Sequence, residues 1–166
     1  MNVMEISKKM QDAFNAQIKL EFFSANLYLQ MAFWFRKEGW KGFANWMYKQ
    51  NEEERQHALD MAKFVLDRGG VPVLTAIDAV PTEYESPKDA FEKTLEHERE
   101  VSAAIDKLAD VADEEHDRAA ANFIAKYVDE QVEEEKSVRD ILDVFRHRSG
   151  QAHAMTKIDD MLGARA

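Results

Sequence analysis

Steps of three and four residues pick out one apolar stripe on each of four long segments, the spacing that marks one face of an α-helix. The first stripe reads Phe14, Ile18, Glu21, Ala25, Tyr28, Ala32 and Phe35. The second gives Phe43, Met47, Gln50, Glu54, His57, Met61 and Phe64. In the third stand Phe91, Leu95, Glu98, Ser102, Ile105, Leu108 and Ala112, and in the fourth Ala120, Ile124, Tyr127, Gln131, Glu134, Val138, Ile141 and Phe145. These segments are rich in the strong helix formers Ala, Glu, Lys, Leu, Met and Gln. They predict helices over about 5–38, 42–68, 87–113 and 117–148, with a short fifth helix over about 151–162.

The joints carry matching chemistry. Gly69-Gly70 after Arg68 suits a helix C-cap, because glycine takes the left-handed conformation there. Ser86-Pro87 suits an N-cap serine followed by proline at the first helical position. All three prolines, Pro72, Pro81 and Pro87, fall in and just after the segment between the second and third helices, which is therefore an extended connection. Extended, its about 17 residues reach roughly 55 Å, more than the roughly 40 Å length of the second helix. The second and third helices are thus expected to run parallel, joined by one long crossover, while the short joints make antiparallel hairpins. The expected architecture is all-α: a four-helix bundle with one crossover and a short fifth helix, as a single domain over 1–166.

Charge and composition narrow the function. Acids outnumber bases by 32 to 22, and the net charge of −10 argues against a nucleic-acid partner, which needs a basic face. The chain has no cysteine, which removes thiolate metal sites, disulfides and thiol nucleophiles. Residues 1–10 lack an apolar run of signal-peptide length, and no apolar run approaches the roughly 20 residues of a membrane helix. The expected address is the cytoplasm, with no membrane partner. Trp34, Trp40 and Trp46 are expected to serve as packing or subunit contacts.

Every stripe is apolar at both ends and acidic near its middle. Glu21, Glu54, Glu98 and Glu134 would meet inside the bundle, and no lysine or arginine stands in any stripe to offset them. Unpaired buried carboxylates are costly, and two divalent cations would balance four of them. The pattern therefore points to a dinuclear metal site. Glu54-x-x-His57 places two ligands one turn apart on one face, and Gln131-x-x-Glu134 repeats the spacing on the fourth helix. Oxygen donors with one imidazole suit iron, manganese or zinc. A lone Glu-x-x-His carries little information; the coincidence on four helices is what carries the inference. Without metal the four acids should burden stability, and neutralising Glu21 should not harm it.

At these residues the chain resembles the ferritins, through LEFFSANLYLQMA (20–32), EEERQHA (52–58), DRGG (67–70), HEREVSAAI (97–105) and DEQVEEE (129–135). The resemblance implies a ferritin-like four-helix bundle that oxidises Fe(II) with O₂ or H₂O₂ and stores ferric mineral. It implies that Glu21, Glu54 and His57 hold a first iron, that Glu54 bridges to a second held by Glu98, and that Gln131 and Glu134 complete the surroundings. Tyr28 matches the tyrosine beside the ferritin di-iron centre. Glu53, Glu130 and Glu133 match a third iron site of prokaryotic ferritins, the role favoured here over the plain reading of a solvated acidic face. Bacterioferritins carry a second Glu-x-x-His and a haem-ligand methionine, where this chain has Gln131-x-x-Glu134 and Arg55, so no haem is expected. Rubrerythrins need cysteines. The best likeness is to prokaryotic non-haem ferritins active as ferroxidases, which implies a homo-oligomeric shell of twenty-four copies. Two alternatives remain open here: a stand-alone di-iron oxidase or peroxidase without storage, and a metal-free helical scaffold.

Overall fold

The computed structural model describes residues 4–166; residues 1–3 of the expected domain lie outside the described residues. Five helices follow in order: α1 (Lys8–Lys37), α2 (Lys41–Asp67), α3 (Pro87–Glu114), α4 (Arg118–His147) and α5 (Ala154–Gly163). Ser7 caps α1 by accepting from Met10 N at 3.1 Å, so the helix starts three residues later than the periodicity suggests. Ser86 caps α3 through Asp89 N, with Pro87 as the first helical residue. Asp117 caps α4 through Ala120 N. Gly69 takes the left-handed conformation after α2, at φ +77°. The fifth helix starts at Ala154 rather than near 151, because His153 adopts φ 57° and ends the preceding turn there.

Aromatic contacts fix the directions. Phe35 meets Phe43 at one end of the α1–α2 pair and Phe14 meets Phe64 at the other, so these helices are antiparallel. Phe43 and Phe91, each near the start of its helix, lie 5.9 Å apart, so α2 and α3 run parallel, joined by the irregular segment 68–86. Among the described residues no helix is long and apolar enough to cross a membrane.

The apolar interior falls into two clusters. One contains Tyr28, Phe35, Phe43, Phe91 and Phe145, with Trp34 and Trp46 buried in it, so both tryptophans pack within the subunit. The other contains Met10, Phe14, Ile18, Met61, Ile105 and Ile124. Between them lies a buried polar layer: Gln17, Glu21, Ser24, Gln50, Glu54, Glu98 and Gln131. A core interrupted in this way costs stability unless each polar group is satisfied.

The short helix α5 folds back onto the start of α2. Asp159 Oδ1 accepts from Phe43 N at 2.8 Å, satisfying one of the free N–H groups that open α2. This approach needs Gly42, since a Cβ there would lie 1.7 Å from the Asp159 carbonyl oxygen. Gly42→Ala is therefore expected to undock α5 and cost about 1–3 kcal/mol. Limited proteolysis should then cut within 148–153; unchanged resistance would show that α5 tolerates the displacement.

Candidate metal centre

The polar layer is built by side chains one turn apart on four helices. Glu21, Glu54 and Glu98 are each no more than 1% exposed, as the stripes require. Glu21, Glu54 and His57 each present one ligand atom within 4.8 Å of the others. His57 Nδ1 lies 3.3 Å from Glu54 Oε2 and 3.7 Å from Glu21 Oε2. Across the layer, Tyr28 donates its hydroxyl to Glu98 Oε1, and Gln131 Nε2 donates to Glu98 Oε2 at 3.2 Å. Glu134 is only half-buried and accepts from Gln50 Nε2 at 3.0 Å.

Two carboxylate oxygens in this layer, Glu21 Oε2 and Glu54 Oε1, are buried without a hydrogen-bond donor. Such atoms suit a cation, which supplies what a missing donor does not. The donor set of carboxylates, one carboxamide and one imidazole fits a hard or borderline divalent metal.

The flanking acids are arranged less uniformly. Glu130 Oε2 lies 3.1 Å from His57 Nε2, on the far side of the ring from Glu54. Glu53 pairs with Arg165 at 2.9 Å. Glu133 is exposed.

Several partners escaped the sequence reading. Gln17 donates to Glu21 Oε1 at 2.7 Å, so Glu21 has a hydrogen-bonded partner beyond any metal. The expectation that neutralising Glu21 is harmless does not take that bond, or the His57 contact, into account. Ser24 Oγ meets His97 Nε2 at 2.7 Å in the buried layer. Ser102 accepts from Gln131 at 3.2 Å and donates to Glu135 at 2.7 Å, helping to orient the carboxamide. Gln17 offered a weak signal, one turn before Glu21 and just off the stripe. Arg165 offered none, because only the docking of α5 brings it here.

Charge behaviour follows from burial and crowding. Burial, helped by the nearby Glu21 and Glu98, holds the Glu54 carboxyl well above the usual range although His57 opposes it. Burial and the charge of Glu134 push Glu98 up to about 7 against hydrogen bonds from Tyr28 and Gln131. Burial also raises Glu21, but its contacts with His57, Glu54 and Gln17 outweigh that and leave it lowered. Burial disfavours a charged His57, yet Glu21 and Glu54 raise the ring to about 11. His97 is driven down to about 4 by burial.

A pH dependence of stability follows. Glu98 holds its proton more firmly folded than unfolded, so its contribution is full below about pH 4.5 and lost as pH rises through about 7. That of His57 is full below about 6.5 and declines as pH rises toward about 11. His97 acts oppositely, but only between about 4 and 6.5. From about pH 6.5 to 8 the metal-free protein is therefore expected to lose stability, by up to about 1.4 kcal/mol per pH unit for each extra proton held in the folded state. Calorimetry on chelator-treated protein checks this; a flat or rising profile would contradict it.

The family model of the ferritin-like domain matches residues 11–147. A bacterial non-heme ferritin of Bacteroides fragilis is 46% identical over 160 residues, covering 96% of this chain and 99% of that protein. A probable bacterial non-heme ferritin-like protein of Haemophilus influenzae is 37% identical over 158 residues, covering 95% and 96%. Among solved structures, an open pore ferritin from the hyperthermophilic archaeon Archaeoglobus fulgidus superposes with a TM-score of 0.95 at 44% identity, covering 98% of this chain and 99% of that one.

Proposed function

The chain belongs to the ferritin family, and from that premise we propose that it stores and detoxifies iron, oxidising Fe(II) at a paired site inside each bundle and collecting ferric mineral in a shell of many copies. The observation that carries this is the polar layer itself, with its three buried acids, half-buried Glu134 beside them, and two buried carboxylate oxygens that lack a donor.

Iron is substrate and cargo here. Glu21, Glu54 and His57 would hold one Fe(II); Glu54, bridging, and Glu98 would hold the second, with Glu134 and the Gln131 carboxamide beside it. Each Fe(II) gives up one electron, so two reduce one O₂ to H₂O₂ with two protons, or one H₂O₂ to two waters. Tyr28 keeps Glu98 oriented through its hydroxyl. The raised Glu54 and Glu98 carboxyls hold protons that arriving metal displaces, so binding releases acid. Glu53, Glu130 and Glu133 would form a third iron position beside the pair, supported by the reach of Glu130 to His57.

Storage needs a cavity that a single bundle lacks. The assembling unit is the whole chain as one ferritin-like domain, in a shell of twenty-four copies, and its place is the cytoplasm. Exposed Leu66, Val71, Val73 and Leu74 along the end of α2 and the crossover support assembly, since apolar surface of this kind marks contact faces.

Native mass together with iron content after aerobic Fe(II) loading tests the proposal. The expected result is a particle of about twenty-four times the 19.2 kDa subunit, retaining more iron than its sites can bind. A monomer or dimer that consumes Fe(II) without retaining it would instead be a stand-alone oxidase, and a bundle that binds no iron a scaffold.

A further inference from the structure

The C-terminal tail brings a cation to the edge of the centre. With α5 held against the start of α2, Asn45 Nδ2 donates to the Gly163 and Arg165 carbonyl oxygens, at 3.4 and 3.1 Å. From that anchor the Arg165 side chain runs along α2. Nη1 donates to the Trp46 carbonyl at 3.1 Å, and the guanidinium lies 4.7 Å from the centre of the Trp46 ring. Nη2 reaches both carboxylate oxygens of Glu53 at 2.9 Å. Trp46 and Glu53 stand two helical turns apart on α2, so one extended arginine spans them. The Arg165 side chain is 23% exposed and that of Glu53 46%, so the pair is bidentate but open to salt.

Glu53 directly precedes Glu54, and Glu53 and Arg165 both influence Glu134 electrostatically, with opposite signs. The pair therefore sits beside the iron centre. Given Glu53 as part of the third iron position proposed above, we propose that Arg165 is a tethered counter-cation that competes with iron for Glu53, making it a positioning residue for the passage of iron out of the paired site. A carboxylate with both oxygens engaged by a guanidinium is not free to chelate a metal, so a divalent ion must first displace the arginine. This competition yields to salt and to metal concentration. Because Asn45 keeps the tail backbone in place, a displaced Arg165 remains nearby at high effective concentration. It re-pairs with Glu53 once the metal leaves, which shortens the stay of a metal ion at that carboxylate.

The test is equilibrium binding of Zn(II), a redox-inert probe, to the assembled metal-free protein. Arg165→Gln keeps the tail carbonyls that Asn45 holds and is expected to bind the weakest Zn(II) per subunit about fivefold to tenfold tighter than wild type at low salt. The difference should shrink as salt rises, and Arg165→Lys should restore much of the competition. Glu53→Gln should lose that equivalent altogether. If Glu53→Gln loses it but Arg165→Gln changes neither affinity nor its salt dependence, the competition is overturned while the third position stands. A lowered melting temperature in Arg165→Gln with unchanged Zn(II) affinity also overturns it, leaving only a clasp for α5. If Glu53→Gln keeps every equivalent, the third position itself falls and the proposal with it.

Discussion

Glu54→Ala is expected to slow the rapid phase of Fe(II) oxidation by at least about a hundredfold, more than any other single change in the centre. Removing a group that only orients a metal ligand costs about 10–100-fold, and Glu54 is proposed to contact both irons. The loss is not expected to come from unfolding. Glu54 is 1% exposed, its carboxyl is held well above the usual range mainly by burial, and Oε1 has no donor, costs that offset the loss of its 3.3 Å contact with His57. Glu54→Gln, which keeps the shape but not the charge, should show the same kinetic defect with a stability at or above wild type. Stopped-flow absorbance after an Fe(II) pulse reads the rate, and near-wild-type kinetics in either variant would remove Glu54 from the bridging role.

The largest stability effect is expected far from the polar layer. Arg68, 9% exposed, ties three parts of the chain together at the end of the bundle. Its Nε donates to the Met4 carbonyl at 2.6 Å, Nη2 to the Glu5 carbonyl at 3.3 Å, and Nη1 to both Asp117 oxygens at 3.0 Å. Asp117 in turn caps α4. Arg68→Ala leaves this sheltered carboxylate without its cation and should cost about 3–5 kcal/mol, the usual penalty for breaking a buried pair from one side. Denaturant unfolding of the metal-free protein measures it. A loss under about 1 kcal/mol would mean that water or a rearranged N-terminus replaces the guanidinium.

Much of the fold was legible because its determinants are local. Prolines and paired glycines mark the joints, Ser86-Pro87 opens α3 as its chemistry dictates, and the three-four spacing places Glu21, Glu54 and Glu98 in the interior, where they are buried. Parallel α2 and α3 followed from the length of the connection alone. Less legible was how completely each acid would be enclosed. Glu134 sits on the same stripe as Gln131 yet is only half-buried, a difference that periodicity does not encode.

Most details that escaped the sequence are non-local. The Gln17 bond to Glu21 is local but depends on side-chain rotamers one turn apart, whereas the Ser24–His97 contact depends on the register between α1 and α3. Absence of lysine and arginine from the stripes was correct, but it did not mean absence of cations nearby. His57 lies against two of the acids, and Arg165 reaches Glu53 from the far end of the chain because Gly42 lets α5 approach α2. Composition along one helix holds no information about a tail that folds back onto another.

The central claim is that iron pairs inside the bundle rather than gathering on an acidic surface. Anomalous diffraction at the iron edge, from crystals soaked anaerobically in Fe(II), tests it most directly. Two peaks are expected in the polar layer, one contacted by Glu21, Glu54 and His57 and the other by Glu54 and Glu98. An ordered layer without iron, with peaks only at exposed acids, would contradict it.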